Sequence, residues 1–540
     1  MSCKTFPIVV DNKREDNPAI QLFGKRLFTD QSPVEFLIEF LLIATSPKQI
    51  GQGSLPFTTP LPPMKTLVDW SGTDELMYSL KARLNLKLFT FIGASRLDSR
   101  HKTHRDHYRE LVQKLRDSIC VAEAGSENDV LRTLENLFLG FQGAGFGRTW
   151  CAQSFMPVCT GLLAGETIWN ETAARRDPPA GWDVVLARQQ IYLTMNKHRF
   201  LARGGEVLYL QLCLALKQKP ETVKQWVKES GISLEPKEAV PASLHEELQR
   251  ELGKLMDHCP QTVTDIADFI DSGVEPDTAQ TTDNDENGPR YVAAGYCPAD
   301  SWREGYLFAV ELLRLCQADL DVIERLQLLE TACAMQVLRN LATQSLRHCP
   351  TEYKTTWPGY RFAVSSPDER NSAVKRLSRH TAKMAEKLIY RAVRCDDVEL
   401  PADQTEREKI LKEADKRYGS KLFVGLAKRI GLLVPRRGAG VRFTLNEKLL
   451  RLLVVTTVPI EGRLTYDRFK ELVEARHGLV FDADGFTRAS AWVDGTDQPV
   501  VGSGIDAWLQ EMLDAAGLLI HLSDSCALVV NPATKKGVES

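Results

Sequence analysis

Residues 431–443 read Gly431-Leu-Leu-Val-Pro-Arg-Arg-Gly-Ala-Gly-Val-Arg-Phe443. Short apolar pieces on either side of a Pro/Arg/Gly turn have the pattern of a β-hairpin. What surrounds the hairpin decides the fold. Before it, residues 404–417 and 419–430 place their apolar side chains at helical spacing, and 445–456 do so after it. Helix, helix and hairpin are the parts of a winged-helix module, here in imperfect order. The cycle recurs further on. Residues 465–476 and 504–516 are helical in pattern, and 517–530 divide into two strands around Ser523-Asp524-Ser525. We therefore expect tandem winged-helix-like units of α+β type over 401–535.

Upstream the pattern is mainly α. Residues 31–46 read as a buried helix, with Asp30 or Ser32 as cap and Pro33 in the first turn. Its apolar run, Phe36 to Ala44, is broken by Glu39. Further helices are expected near 104–119, 128–139, 182–199, 206–217, 220–229, 242–257, 302–316 and 319–347, and a basic one within 369–394. Residues 84–92 alternate like a strand, and 51–63 are loop-like. Residues 271–290 are acidic and polar and bury too little to offset their ordering entropy. The expected organisation is an α/β segment over 1–120, a helical domain over 121–270, a flexible acidic linker over 271–290, and a helical domain over 291–400. The tandem region follows.

The 540 residues suit three or four domains. With 43% hydrophobic and 26% charged residues the chain is globular, not disordered or fibrous. A net charge of −3 excludes a protein that coats nucleic acid over its whole surface, but leaves room for one basic patch. No apolar run is long enough to span a bilayer and no basic-then-apolar leader opens the chain, so we expect a cytoplasmic location without membrane contact. The twelve cysteines form no C-x-x-C pair and read as reduced, packed thiols.

The strongest candidate site lies in the C-terminal region. Residues 404–450 hold twelve Lys/Arg against five Asp/Glu. Lys428, Arg429, Arg436, Arg437 and Arg442 fall at a helix end and around the turn, where guanidiniums suit phosphate contact with duplex DNA. A solvated basic face or a protein-docking wing is the alternative. Other constellations are weaker. Gly143-Ala-Gly145-Phe-Gly147-Arg148 follows a helix and lacks the P-loop lysine, so it reads as a tight turn. Cys151 needs a histidine base that the sequence does not place, and basic neighbours beside His101, His104 and His107 oppose a metal cation. Glu352-Tyr-Lys354 is half of a nuclease core without its upstream aspartate. No catalytic residue, metal site or cofactor is assigned. A divergent enzyme using Cys151 or the His101–His107 cluster stands as the enzymatic alternative.

Three stretches carry a resemblance: Asp30 to Phe40, Arg148-Thr-Trp-Cys-Ala-Gln153, and Pro435 to Phe443 taken with Leu522 to Pro532. Together they resemble accessory, non-helicase subunits of bacterial multi-gene anti-phage defence systems, of the Druantia type or methylation-associated. The resemblance implies a cytoplasmic subunit of a multi-subunit complex, beside a separately encoded helicase, ATPase or methyltransferase. It transfers no functional residue. The expected function is a non-enzymatic DNA-binding or scaffold subunit, with a scaffold that never touches DNA as the alternative.

Overall fold

The computed structural model describes residues 3–9, 16–79, short pieces between 113 and 194, 204–257, 291–349, 357–493 and 504–532, with Arg26, Ala439, Asp524 and Ser525 excepted. Apart from the single helical residues Gln113 and Asp129, the expected strand at 84–92, the helices at 104–119 and 128–139 and the linker at 271–290 lie outside these residues. Those described are mainly helical, with small sheets of two or three strands.

The body is built around seven helices. Helix α1 is Pro18–Phe23 and α2 is Pro33–Thr45. Ser32 caps α2: its hydroxyl accepts from Glu35 N, and the Glu35 carboxylate accepts from Ser32 N at 2.6 Å, a reciprocal capping box. Helix α3 is Gly205–Leu216, and every residue in it is buried. Glu39, the charge inside the apolar run of α2, accepts from Gly205 N at 2.9 Å and from Gln31 Nε2 at 2.6 Å. A carboxylate at a helix N-terminus is favourable, which explains a glutamate in this core. Helices α4 (Pro220–Ser230) and α5 (Pro241–Asp257) follow, then α6 (Trp302–Gln317) and the long α7 (Val322–His348). Helix α6 packs on α3, α5 and α7, and α7 also lies against α2.

The crossing of α3 and α6 is held close by one glycine. A Cβ at Gly305 would stand 2.3 Å from the carbonyl oxygen of Gln211. Alanine is the better helix former by about 1 kcal/mol, but here the two backbones must part. Gly305→Ala is expected to lower the unfolding free energy by about 1–3 kcal/mol, measured by denaturant titration.

A line of polar side chains crosses this core. Asn340 Nδ2 donates to Phe23 O, Gln211 Nε2 to Asn340 Oδ1, Gln336 Nε2 to Gln211 Oε1, and Arg339 Nη1 to Gln336 Oε1, all at 2.8–2.9 Å. Arg339 Nη2 then reaches Glu311 Oε1 at 2.5 Å and His477 Nδ1 at 3.2 Å. Each amide both donates and accepts, so its orientation is fixed and helices distant in sequence are held in register.

Burial of a charge also has a visible cost at one point. Strands β2 (Lys48–Ile50) and β3 (Leu76–Tyr78) pair antiparallel, following β1 (Thr5–Phe6) in the chain, and β4 (Val292–Ala293) adds to β3. Strand β5 (Cys297–Pro298) pairs with β1. Lys48 is fully buried, and its Nζ donates to Ala44 O and Ser46 O at 2.8 Å, covering the C-terminal carbonyls of α2. Desolvation pushes its ammonium down to about 7. A folded pKa below the unfolded one means that the cost is absent above about 10.4 and complete below the folded value. Lys48→Met should therefore gain stability relative to wild type as pH falls from 10 to 7, and the gap should stay constant below that. A gap that ignores pH would contradict this.

The C-terminal half continues the same core. Strand β6 (Phe362–Ala363) precedes α8 (Ser372–Ala392), α9 (Gln404–Arg417) and α10 (Ser420–Arg429). Strands β7 (Leu433–Val434) and β8 (Arg442–Phe443) then form the expected antiparallel hairpin. Gly431 must be glycine: its φ is +82°, and a Cβ would strike Asn446 Nδ2 at 2.2 Å. That asparagine caps α11 (Glu447–Thr457) through Leu449 N and donates back to Ile430 O. Next come β9 (Arg463–Thr465), α12 (Tyr466–His477), β10 (Leu479–Val480), α13 (Ala483–Trp492), α14 (Ala507–Ala515), β11 (Leu519–Ser523) and β12 (Cys526–Val530). The last sheet runs in the order β9-β12-β11, entirely antiparallel. Strand β10 pairs parallel with β6.

Buried guanidiniums join the halves through backbone carbonyls. Arg314 forks onto Glu238 at 2.6 and 2.8 Å and donates to Thr456 O and Thr457 O at the end of α11. Arg476, fully buried, donates to Thr456 O and Ser233 O. The apolar core likewise runs without a break from Cys3 to Val529. Helices from each of the expected segments contribute to it, including α7, which touches α2, α8, α10 and α11.

Candidate nucleic-acid interface

Helix α8 is strongly amphipathic. Val374, Leu377, Thr381, Ala382, Met384, Ala385, Leu388 and Ile389 are buried, facing α7, α10, α13, β6 and β8. The opposite face exposes Arg376, Arg379, His380, Lys383, Lys387 and Arg391. The helix holds six Lys/Arg against a single acid, Glu386. Asn371 caps it, accepting from Ala373 N and Val374 N.

The 435–441 turn comes down beside this face. Gly440 lies so close to Arg379 that an added Cβ would be 3.5 Å from its Nε. Arg436 and Arg437 on the same turn are exposed. On the other flank Lys421 and Lys428 from α10 join Lys383 around Glu386. Burial raises the Glu386 carboxyl above its usual range, and the three lysines only partly offset it. Among the described residues, Arg379, Lys383, Lys387, Arg391, Lys421, Lys428, Arg436 and Arg437 form no ion pair. Eight cations from three elements thus share a surface whose acids are Glu386 among the lysines and Asp368 and Glu369 beside Arg442 at its edge. Such a surface suits a polyanion: it supplies the sequence-independent attraction of a phosphate backbone and leaves base reading to other groups.

The five residues singled out in the sequence divide into two groups. Lys428, Arg436 and Arg437 belong to the open surface. Arg429 Nη1 donates to Thr29 O at 2.9 Å and to Gln31 O, tying α10 to the loop before α2. Arg442 donates to Ser365 Oγ, Ser366 O and Pro367 O at 2.5–2.8 Å, tying β8 to the segment after β6. These two guanidiniums hold the surface in shape. Sequence reasoning marked 369–394 as helical and basic but left its face out of the site. Six cations with one acid over nearly six helical turns was the available signal.

The other candidates resolve less. His101, His104, His107, Gly143 to Arg148, Cys151 and Glu352 to Lys354 lie outside the described residues. No disulfide joins the eight described cysteines. Burial pushes the Cys316 thiol up to about 12, which suits a packed thiol and not a nucleophile. Among the described residues no helix is long and apolar enough to cross a membrane.

The second half of the tandem region carries different chemistry. The exposed positions of α14 include Glu511 and Asp514. Strand β11 is an edge strand, and its Ile520 and Leu522 are 40% and 60% exposed. Comparison with protein-family models, curated proteins and solved structures finds no match to this chain.

Proposed function

We propose that this protein is a non-enzymatic subunit that grips duplex DNA by its phosphate backbone. The grip is the composite surface of α8, α10 and the 435–441 turn. One observation carries the reading: eight cations from three elements share a face, none of them in an ion pair among the described residues, with the half-buried Glu386 as the one carboxylate set among three of them. Proteins rarely leave so many like charges side by side without a polyanion to meet them, because their mutual repulsion costs stability.

The chain order α11, β9, α12, α14, β11, β12, with the sheet order β9-β12-β11, supports reading 447–530 as a winged-helix-type unit with α13 inserted. Helix α10 and the β7–β8 hairpin supply the helix and wing of a second, less regular unit before it. The two units have opposite surfaces, so we assign them different work. The basic unit meets DNA. The other, with acids on α14 and exposed Ile520 and Leu522 on an edge strand, faces a protein partner. Such a division suits an accessory subunit of a bacterial anti-phage defence complex, in which a helicase or ATPase supplies the chemistry. That placement rests on the resemblance described above.

Equilibrium binding of a fluorescent duplex by the full-length chain tests the assignment. Lys383→Ala with Lys387→Ala should weaken binding. Glu511→Ala with Asp514→Ala should leave it unchanged or tighten it. The opposite ranking would sink the reading.

A further inference from the structure

Three ligand-bearing side chains outside the basic surface converge where the N-terminal strand, the end of α7 and the turn after α8 meet. His348 is the last residue of α7, and Cys395 and Asp397 stand on the turn that follows α8. His348 Nδ1 lies 2.8 Å from Asp397 Oδ2. One donor atom from each of the three residues falls within 4.8 Å of the other two, and all three side chains are half-buried. Nothing in the sequence pattern pointed to this set, because His348 and Cys395 are 47 positions apart and no C-x-x-C spacing is present.

We propose that His348, Cys395 and Asp397 form a zinc site. An imidazole, a thiolate and a carboxylate are the ligand types that zinc takes, and a soft sulfur beside a nitrogen disfavours magnesium or calcium. Zinc holds its ligands at about 2.0–2.3 Å, so tetrahedral donor atoms stand roughly 3.3–3.8 Å apart. The His348–Asp397 pair has to open by less than about 1 Å to admit the ion. Arg394, on the same turn, is committed to Asp415 at 2.6 and 3.0 Å. Two further thiols lie close by. Cys3 Sγ donates to Asp397 O at 3.3 Å, and Cys349 follows His348 directly. Three protein ligands leave a fourth position for water or for a thiol brought in by a small movement. Bound there, the ion clamps α7 to the turn after α8, just where β1 enters.

The test uses full-length protein stripped with chelator and reloaded with Co²⁺ as a spectroscopic stand-in, then with Zn²⁺. Wild type should show a thiolate-to-cobalt charge-transfer band and a rise in Tm with zinc. Cys395→Ser should lose the band, bind one zinc fewer per chain, and weaken the affinity of this site by at least about 100-fold. Asp397→Asn and His348→Gln should each reduce the same band, with far-UV circular dichroism confirming that the variants are folded. Cys349→Ser should keep it. If wild type binds cobalt without a thiolate band, or if the band and stoichiometry survive in Cys395→Ser, the site does not exist and His348–Asp397 is an ion pair only.

Discussion

Glu238→Gln is expected to lower the unfolding free energy by roughly 3–5 kcal/mol near neutral pH. The reason is a charge imbalance that one carboxylate repairs. Arg314 and Arg476 are both buried and close enough to repel, and Glu238 lies between them in the ledger of charge. Burial works to raise the Glu238 carboxyl, but the two hydrogen bonds from Arg314 and its charge prevail and hold it below the usual range. Burial has the upper hand at Arg476, whose guanidinium is held down to about 9, with Arg314 adding to the effect. Glutamine keeps the shape but leaves the desolvated Arg314 without its anion and Arg476 with Glu311 as its remaining carboxylate. The sign with pH follows. A carboxyl whose folded pKa is depressed stabilises above its unfolded value of about 4.3 and loses that contribution as pH falls through the folded value. The gap between wild type and Glu238→Gln should therefore be widest near neutrality and close in acid. Denaturant titrations at several pH values measure it.

The second large effect is on binding. Replacing Arg379, Lys383, Lys387, Arg436 and Arg437 together by alanine is expected to weaken duplex binding by about 100-fold or more at low salt. All five are exposed, and none holds a hydrogen bond or an ion pair among the described residues, so the fold should survive with small change in Tm. Arg429→Ala and Arg442→Ala should behave the other way. Each strips donors from carbonyl groups that anchor α10 or β8, so stability falls, and affinity falls only as the surface loosens.

Local order was legible in the sequence wherever the apolar period was strong. The expected helices at 302–316 and 319–347 appear as Trp302–Gln317 and Val322–His348, and the expected strands at 517–530 appear as Leu519–Ser523 and Cys526–Val530. Helix α13 was missed. Its Gly485, Thr487 and Ser490 are poor helix formers, and the Asp482 cap and tertiary burial of Phe486 and Trp492 prevail over them. What could not be read was anything closing over a long stretch of chain. Arg429 and Arg436 look alike in sequence, but the first finds its partners about 400 positions away at Thr29 and Gln31. The polar line from Phe23 O to His477 joins amides and charges that single-sequence patterning treats as unrelated. The basic face of α8 was visible as composition. It became part of a site only when the 435–441 turn was seen to land beside Arg379.

The central claim is that these cations meet phosphates, and the salt dependence of duplex binding tests it most directly. Each phosphate contact adds about 0.9 to the slope of log K against log salt, so removing five should flatten the slope by about 3 to 5. The account predicts steep salt dependence in wild type and a much shallower line in the five-alanine variant. Equal slopes for the two proteins, or no binding by wild type at low salt, would contradict it.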